Sequence, residues 1–283
     1  MGNLIKFKVH FQLSVLHRIP LSEEVAEGVI VSLTSYGSRV TNNSVCYTLH
    51  SLLTQTMRAE RIILWLDETE FCDDTLPWML RKMKKYGVEV RYCPNWYSYK
   101  KLLPTLQQFP EYDVITADDD LYYSSGHLQE LVAAHRRHPG ALITQGGRIP
   151  ALRADGGFVP YREWKLRVRI PSGEAYNHYL FLPMGGYGVY YPAGIFDDEI
   201  QNLKVIQELC PRADDLWFYV MGLRQRVWKE NVRDSQVAYY QLDLVRQFLS
   251  RDRLYATNVG EDQNDVQLKK LLEHYGIEVA DLK

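Results

Sequence analysis

The sequence predicts an α/β fold with a mainly parallel sheet, helices on both of its faces and a loop-rich second lobe. From Gly28 to about residue 146, short apolar runs alternate with segments of helical spacing. Such alternation builds parallel sheets, because each crossover helix covers a sheet face. Beyond that point the period is lost, and paired glycines at 146–147, 156–157 and 185–186 punctuate a tyrosine-rich stretch. With 283 residues, 46% of them hydrophobic, the chain has material for a full core, and α/β domains of this length are common as single units.

The elements follow in order. Ile5, Phe7, Val9, Phe11, Leu13 and Val15 alternate with mostly polar neighbours, a strand period, within a leading segment 1–27. Val29–Thr34 is a short apolar run, and the turn residues Ser35–Ser38 lead into a helical face of Val45, Leu49, Leu52 and Leu53. Arg61–Leu66 reads as a second buried strand, Pro77–Lys85 as a helix and Val88–Tyr92 as a third strand. Leu102, Leu103 and Leu106 suggest another helix before the strand Tyr112–Ala117. Leu128 to His135 follows helical spacing, with His135 as a packed residue, and Ala141–Thr144 resumes as a strand. In the second half, Leu216–Trp228 and Val266–Tyr275 are the clearest helices.

Composition excludes several classes. Lys plus Arg number 33 against 35 Asp plus Glu, so the basic excess that nucleic-acid binding relies on is missing. Cys46, Cys72, Cys93 and Cys210 stand far apart without zinc spacing and read as buried thiols of a reducing compartment. The longest charge-poor stretch, Ala175–Phe196, holds Pro183, Pro192 and four glycines, which would break a membrane span. The expected location is therefore cytoplasmic, without a secretion signal, and peripheral at the inner membrane face if the acceptor is lipid-linked.

Asp118-Asp119-Asp120 closes an apolar strand, and three adjacent carboxylates repel unless a cation or solvent screens them. Mg²⁺ or Mn²⁺ would relieve that repulsion, since such ions take one or two carboxylates and fill the remaining positions with water and phosphate oxygens. A solvated acidic turn capping the next helix is the other reading of the same residues. A second constellation, Asp214-Asp215, stands before an apolar helix, where an N-cap and a first-turn acid would also be expected. Between them Pro183–Pro192 contains Gly185 and Gly186, which suit either a turn or close backbone approach to a sugar. No Gly-Lys-Ser/Thr follows these glycines, and no G-x-G-x-x-G follows the first strand.

Val29–Tyr36, Ser51–Thr56, Ile62–Asp67 and Asp118–Asp120 together resemble the GT-A-fold glycosyltransferases, particularly bacterial sugar transferases of the inverting family two group, over roughly the first 150 residues. That resemblance implies a nucleotide diphosphate donor, a UDP-sugar first, and a carbohydrate or lipid-linked glycan acceptor in surface polysaccharide synthesis. It divides the chain into a donor-binding half, 28–146, and an acceptor-binding half, 147–283, of one domain. Asp120 becomes the main metal ligand with Asp118 its partner, and Asp118 and Asp119 border the donor. Thr34, Tyr36, Arg39, Asp67 and Lys101 line the nucleotide, Lys101 being preferred to Lys100, and Gly185 and Gly186 border the donor sugar. Asp215 becomes the base that takes the acceptor proton, with Asp214 beside it, although the family carries Glu-Asp where this chain has Asp-Asp.

Three further features stay open. The twenty tyrosines and six tryptophans would suit sugar recognition. Tyr161–Arg169 reads as a solvated edge strand or as a contact to a phosphate-bearing acceptor. His178 and the segment 258–265 are candidates for an additional contact. The alternative activities are a sugar-nucleotide nucleotidyltransferase, which should carry a Gly-rich basic loop after the first strand, and a non-catalytic sugar- or nucleotide-binding module.

Overall fold

The computed structural model describes residues 2–16, 18–242 and 262–282. It is a mixed α/β fold whose main sheet is mostly parallel and flanked by helices. The chain forms two compact units, one from 1–133 and 236–249, the other from 134–235 and 250–283.

In the first unit β1 (Val25–Thr34), β2 (Arg58–Asp67), β3 (Val88–Cys93) and β4 (Asp113–Ala117) form parallel pairs in the order β4-β1-β2-β3. The chain steps outward from β1 to β3 and then returns to the other side of β1. The crevice beyond the carboxyl ends of β1 and β4 is therefore a topological switch point, where open α/β sheets bind ligands. The strands are buried where β-branched and aromatic residues crowd: Ile30, Ile63, Trp65 and Cys93 form one core cluster, with Phe109 and Tyr112 packed against it. A small polar network is embedded there, since the Ser32 and Thr105 hydroxyls lie 2.7 Å apart and Trp65 Nε1 donates to Thr105 at 2.7 Å.

The helices of this unit are α2 (Gly37–Thr41), α3 (Ser44–Leu53), α4 (Trp78–Lys84) and α5 (Leu103–Gln108), followed by α6 (His127–Arg137), which runs from this unit into the next. Between β4 and α6, the short strand β5 (Leu121–Tyr123) pairs antiparallel with β12 (Tyr239–Gln241), the segment that returns to this unit from far along the chain.

The leading segment departs from expectation: Gly2–Phe11 is an α-helix, α1, followed by a π-helical turn at Gln12–Leu16. The period-2 reading failed because the helix is apolar on two opposite faces. Val9 and Leu13 are wholly buried, whereas Leu4, Phe7 and Phe11 are exposed. Odd-numbered apolar residues therefore serve both faces and imitate a strand.

In the second unit β6 (Leu142–Thr144) lies between β11 (Lys229–Asn231), parallel to it, and β10 (Val189–Tyr191), antiparallel to it. A separate antiparallel sheet has the order β8 (Lys165–Arg167), β7 (Gly147–Ile149), β9 (Leu182–Pro183), so the 161–169 segment does supply an edge strand. Gly147 permits this sheet: a Cβ there would sit 2.3 Å from the Leu182 carbonyl oxygen. The helices are α7 (Leu203–Leu209), α8 (Asp214–Arg224) and Gln263–Tyr275. The predicted helix at 216–228 begins two residues earlier and stops at Arg224, leaving room for β11.

Much of the aromatic excess is internal packing rather than open sugar-facing surface. Phe158, Tyr161 and Tyr219 ring Trp164, with centroids 4.8–6.1 Å away. His135, as expected, is packed, stacking on Tyr190 at 4.4 Å. Of the cysteines, Cys46, Cys93 and Cys210 are buried free thiols, but Cys72 is exposed, because it precedes a surface 3-10 turn.

Lys229 is wholly buried and donates to the Tyr179 and Val227 carbonyls at 2.7 and 3.1 Å. Burial lowers its pKa to about 7. Between that value and the ordinary lysine range the unfolded chain binds a proton that the folded chain does not, so this group raises stability as pH increases. Denaturant unfolding at pH 7 and at pH 9 should therefore show a rise of up to about 1.4 kcal/mol per pH unit that Lys229→Met lacks. Equal pH slopes for both proteins would refute the assignment.

Candidate functional site

At the switch point of the first unit, the ends of β1 and β4 bring together residues some eighty positions apart. Ser32 pairs with Thr116 and Leu33 with Ala117, so the turn after Thr34 and the turn after Ala117 emerge side by side. Ser35 Oγ donates to Asp119 Oδ2 at 2.6 Å, and Arg39 Nη1 is in hydrogen-bond contact with Asp119 Oδ1. Arg39 Nη2 also reaches Asp120 Oδ2 at 3.1 Å. Lys101 Nζ pairs with Asp118 Oδ1 at 2.9 Å, and the Asp118 N–H donates to the Tyr123 hydroxyl at 2.9 Å. The Asp120 carbonyl accepts the Leu242 N–H at 3.0 Å, so the strand that pairs with β5 also braces the aspartate turn.

The repulsion expected of three adjacent carboxylates is met by two of the chain's own cations. Asp119 is buried, and burial pushes its carboxyl up to about 6 against the opposing pull of Arg39, with Asp120 adding to the rise. The Arg39 guanidinium, although its own burial works against it, is held above its ordinary range by Asp119 and Asp120. Both Asp119 oxygens are engaged, which makes it the holder of Arg39 rather than a ligand donor. Asp118 and Asp120 are half-buried, oxygen-rich and close in sequence. No three His, Cys, Asp or Glu side chains converge on a shared metal position among the described residues. Two hard carboxylates nevertheless fit Mg²⁺ or Mn²⁺, which commonly take one or two from a protein.

The other candidates fall around this edge or away from it. Asp67 ends β2 and accepts both the Thr69 N–H and its hydroxyl, at 2.8 and 2.7 Å. Burial raises its carboxyl, but the Thr69 bonds and the charge of Lys100 outweigh that and hold it below the ordinary range. Lys100 donates to Asn95 Oδ1 at 3.1 Å, whereas Lys101 joins the aspartates. The Thr34 hydroxyl donates to the Trp65 carbonyl at 2.9 Å and so belongs to the β1–β2 ladder. Tyr36 is exposed, with the Arg39 guanidinium 5.3 Å from its ring centroid.

In the second unit, α8 begins at Asp214 with Ala213 as its N-cap, so neither aspartate is the cap; both occupy the first turn, favoured by the helix dipole. Asp215 Oδ1 accepts the Gly185 N–H at 3.1 Å, which joins the second constellation to the glycine turn at Gly185–Tyr187. His178 stacks on Trp228 at 4.0 Å and lies 2.9 Å from Glu230 Oε2. Burial lowers its pKa despite that carboxylate. Of the segment 258–265, residues 258–261 lie outside the described residues. A cavity of ≈ 440 Å³ lined by Arg137, His138, Glu230, Asn231 and Arg233 holds none of the sequence-predicted residues.

Sequence reasoning missed Ser35 and Tyr123. Ser35 was discoverable as the polar residue next to Thr34 at a strand end. Tyr123 carried no such signal, because its hydroxyl reaches back over five residues by way of a turn.

No protein-family model matches the chain, and no curated protein does. Among solved structures, the chain is similar to that of CMP:2-keto-3-deoxy-manno-octonic acid synthetase complexed with CTP, at 9% identity and a TM-score of 0.42, covering 75% of this chain and 90% of that one. A likeness of that size bears on no activity or ligand of this chain. The name of that protein is of a synthetase with CTP bound and does not speak of glycosyl transfer. No helix among the described residues is long and apolar enough to cross a membrane.

Proposed function

We propose that this protein is a metal-assisted transferase of a nucleotide-activated sugar, moving the sugar from a nucleotide diphosphate donor, a UDP-sugar first, to a carbohydrate or lipid-linked acceptor hydroxyl. The observation that supports this most is the mixed-charge cluster at the switch point, in which Asp119, itself held by the Ser35 hydroxyl, pairs with Arg39, while the half-buried Asp118 and Asp120 meet Lys101 and Arg39 respectively. Asp118 and Asp120 would hold Mg²⁺ or Mn²⁺, which neutralises charge on a departing diphosphate when bound. Arg39 and Lys101 would bind phosphate oxygens, and Asp67 the nucleotide base. Asp215, fixed by the Gly185 N–H, would take the proton of the acceptor hydroxyl, a weak nucleophile until deprotonated. A direct in-line displacement with inversion follows from one base and one leaving group.

Nucleotidyl transfer is the reading held beside it. Binding a triphosphate would call for a Gly-rich basic loop after β1, yet residues 37–41 form the short helix α2 with one glycine. The Gly37 N–H faces Glu70 Oε2 at 3.4 Å, which sets an acid where a triphosphate would need donors. Product analysis separates the two. UDP released from a UDP-sugar only when Mn²⁺ or Mg²⁺ is present is the expected result. Pyrophosphate released from CTP and a free sugar acid, with UDP-sugars left intact, would replace this reading by the other.

A further inference from the structure

The helix α1 carries two apolar faces, and only one is used by the fold. At 100° per residue, Val9 and Leu13 lie within 40° of each other and point inward, both wholly buried. On the same projection Leu4, Phe7 and Phe11 fall within about 60° of one another on the opposite side. They are 72%, 69% and 44% exposed, and the Phe7 and Phe11 rings stack at 6.3 Å. Lys8 and His10 are exposed and project at the borders between the two faces, whereas Lys6 falls beside Leu13 on the inward side, its ammonium 5.7 Å from the Tyr47 ring centroid.

Neighbouring residues extend this surface. Trp78, the first residue of α4 and itself exposed, meets His10 edge-on at 5.7 Å. Lys82 of α4 is hydrogen-bonded to the Leu13 carbonyl, which ties the two helices together. Arg81 and Lys85, on and just after α4, are exposed as well. Charge is one-sided here: residues 1–22 contain Lys6, Lys8 and Arg18 and no Asp or Glu, in a chain whose net charge is −2. Exposed aromatic and leucine side chains bordered by bases are the pattern of a helix that lies in the headgroup layer, its rings among the acyl chains and its cations on anionic headgroups.

We propose that the outward face of α1, with Trp78 beside it, docks this protein on an anionic lipid bilayer. The anchorage is held to the fold from behind by Val9 and Leu13, so the helix need not leave the protein to bind. It does not depend on the transfer reaction, and vesicle binding without donor or acceptor tests it separately from that reading.

The full chain should be sedimented with phosphatidylcholine vesicles and with vesicles containing one part in four of phosphatidylglycerol. Binding to the anionic vesicles, weakened at about 0.5 M salt, is the expected result. Phe7→Ser with Phe11→Ser should lower the partition coefficient by about tenfold or more, and Lys8→Gln with Arg81→Gln by several-fold, with unchanged melting temperatures because these side chains are exposed. Three results would overturn the proposal: a chain that stays in the supernatant with both vesicle types, a Phe7/Phe11 double variant that partitions like the parent, or a dimer without lipid that the same double variant dissolves.

Discussion

Replacing Asp120 with asparagine is expected to reduce metal-dependent transfer by about 10²-fold or more while leaving the fold intact. The substitution keeps the side-chain shape and removes one of two half-buried carboxylates; Arg39 keeps its contact with Asp119. UDP affinity measured with Mn²⁺ should fall, and UDP affinity measured without metal should change little. Asp119→Asn makes the informative contrast. That residue holds Arg39 and Ser35 from a buried position, so its loss should lower the melting temperature more than Asp120→Asn does. Full activity of the unmutated protein in EDTA would rule out the metal role of this turn.

Asp215→Asn carries the second large effect. If Asp215 removes the acceptor proton, transfer should drop by about 10²-fold or more with donor and metal affinity retained. As a first-turn residue alone, its replacement should instead cost about 0.5–1.5 kcal/mol of stability with normal turnover of the folded protein. Melting temperature, donor affinity and rate measured on one purified variant decide between these. A kinetic defect confined to Asp214→Asn would move the base by one residue.

The alternation of strands and helices from β1 to β6 was legible because each strand is a dense apolar run bounded by turn residues, and the helices between carry apolar residues at helical spacing. α1 was not legible, since a helix apolar on two faces has the same odd-numbered pattern as a strand. The aspartate turn was visible as an electrostatic anomaly, but the remedy was not: pairing with Arg39 and Lys101 depends on the β1–β4 register, which joins segments eighty residues apart. Lys100 and Lys101 are adjacent in sequence, and only the 3-10 turn that carries them sends one to Asn95 and the other to Asp118. Asp214 as a cap failed for a local reason, since the chain enters α8 one residue earlier, at Ala213.

The hydrogen bond from Leu242 to Asp120, and the pairing of residues 239–241 with 121–123, also have a temporal meaning. During synthesis the sheet of the first unit is finished once β4 has emerged, but the aspartate turn gains its brace only after residue 242 follows. At translation rates of 5–20 residues per second, this is a delay of roughly 6–25 s. Over that interval a nascent chain has every strand of β4-β1-β2-β3 and an unbraced turn. Ribosome-stalled chains ending before residue 236 should thus present a protease-resistant sheet with a cleavable 118–123 segment, and nucleotide affinity should arise after structure does.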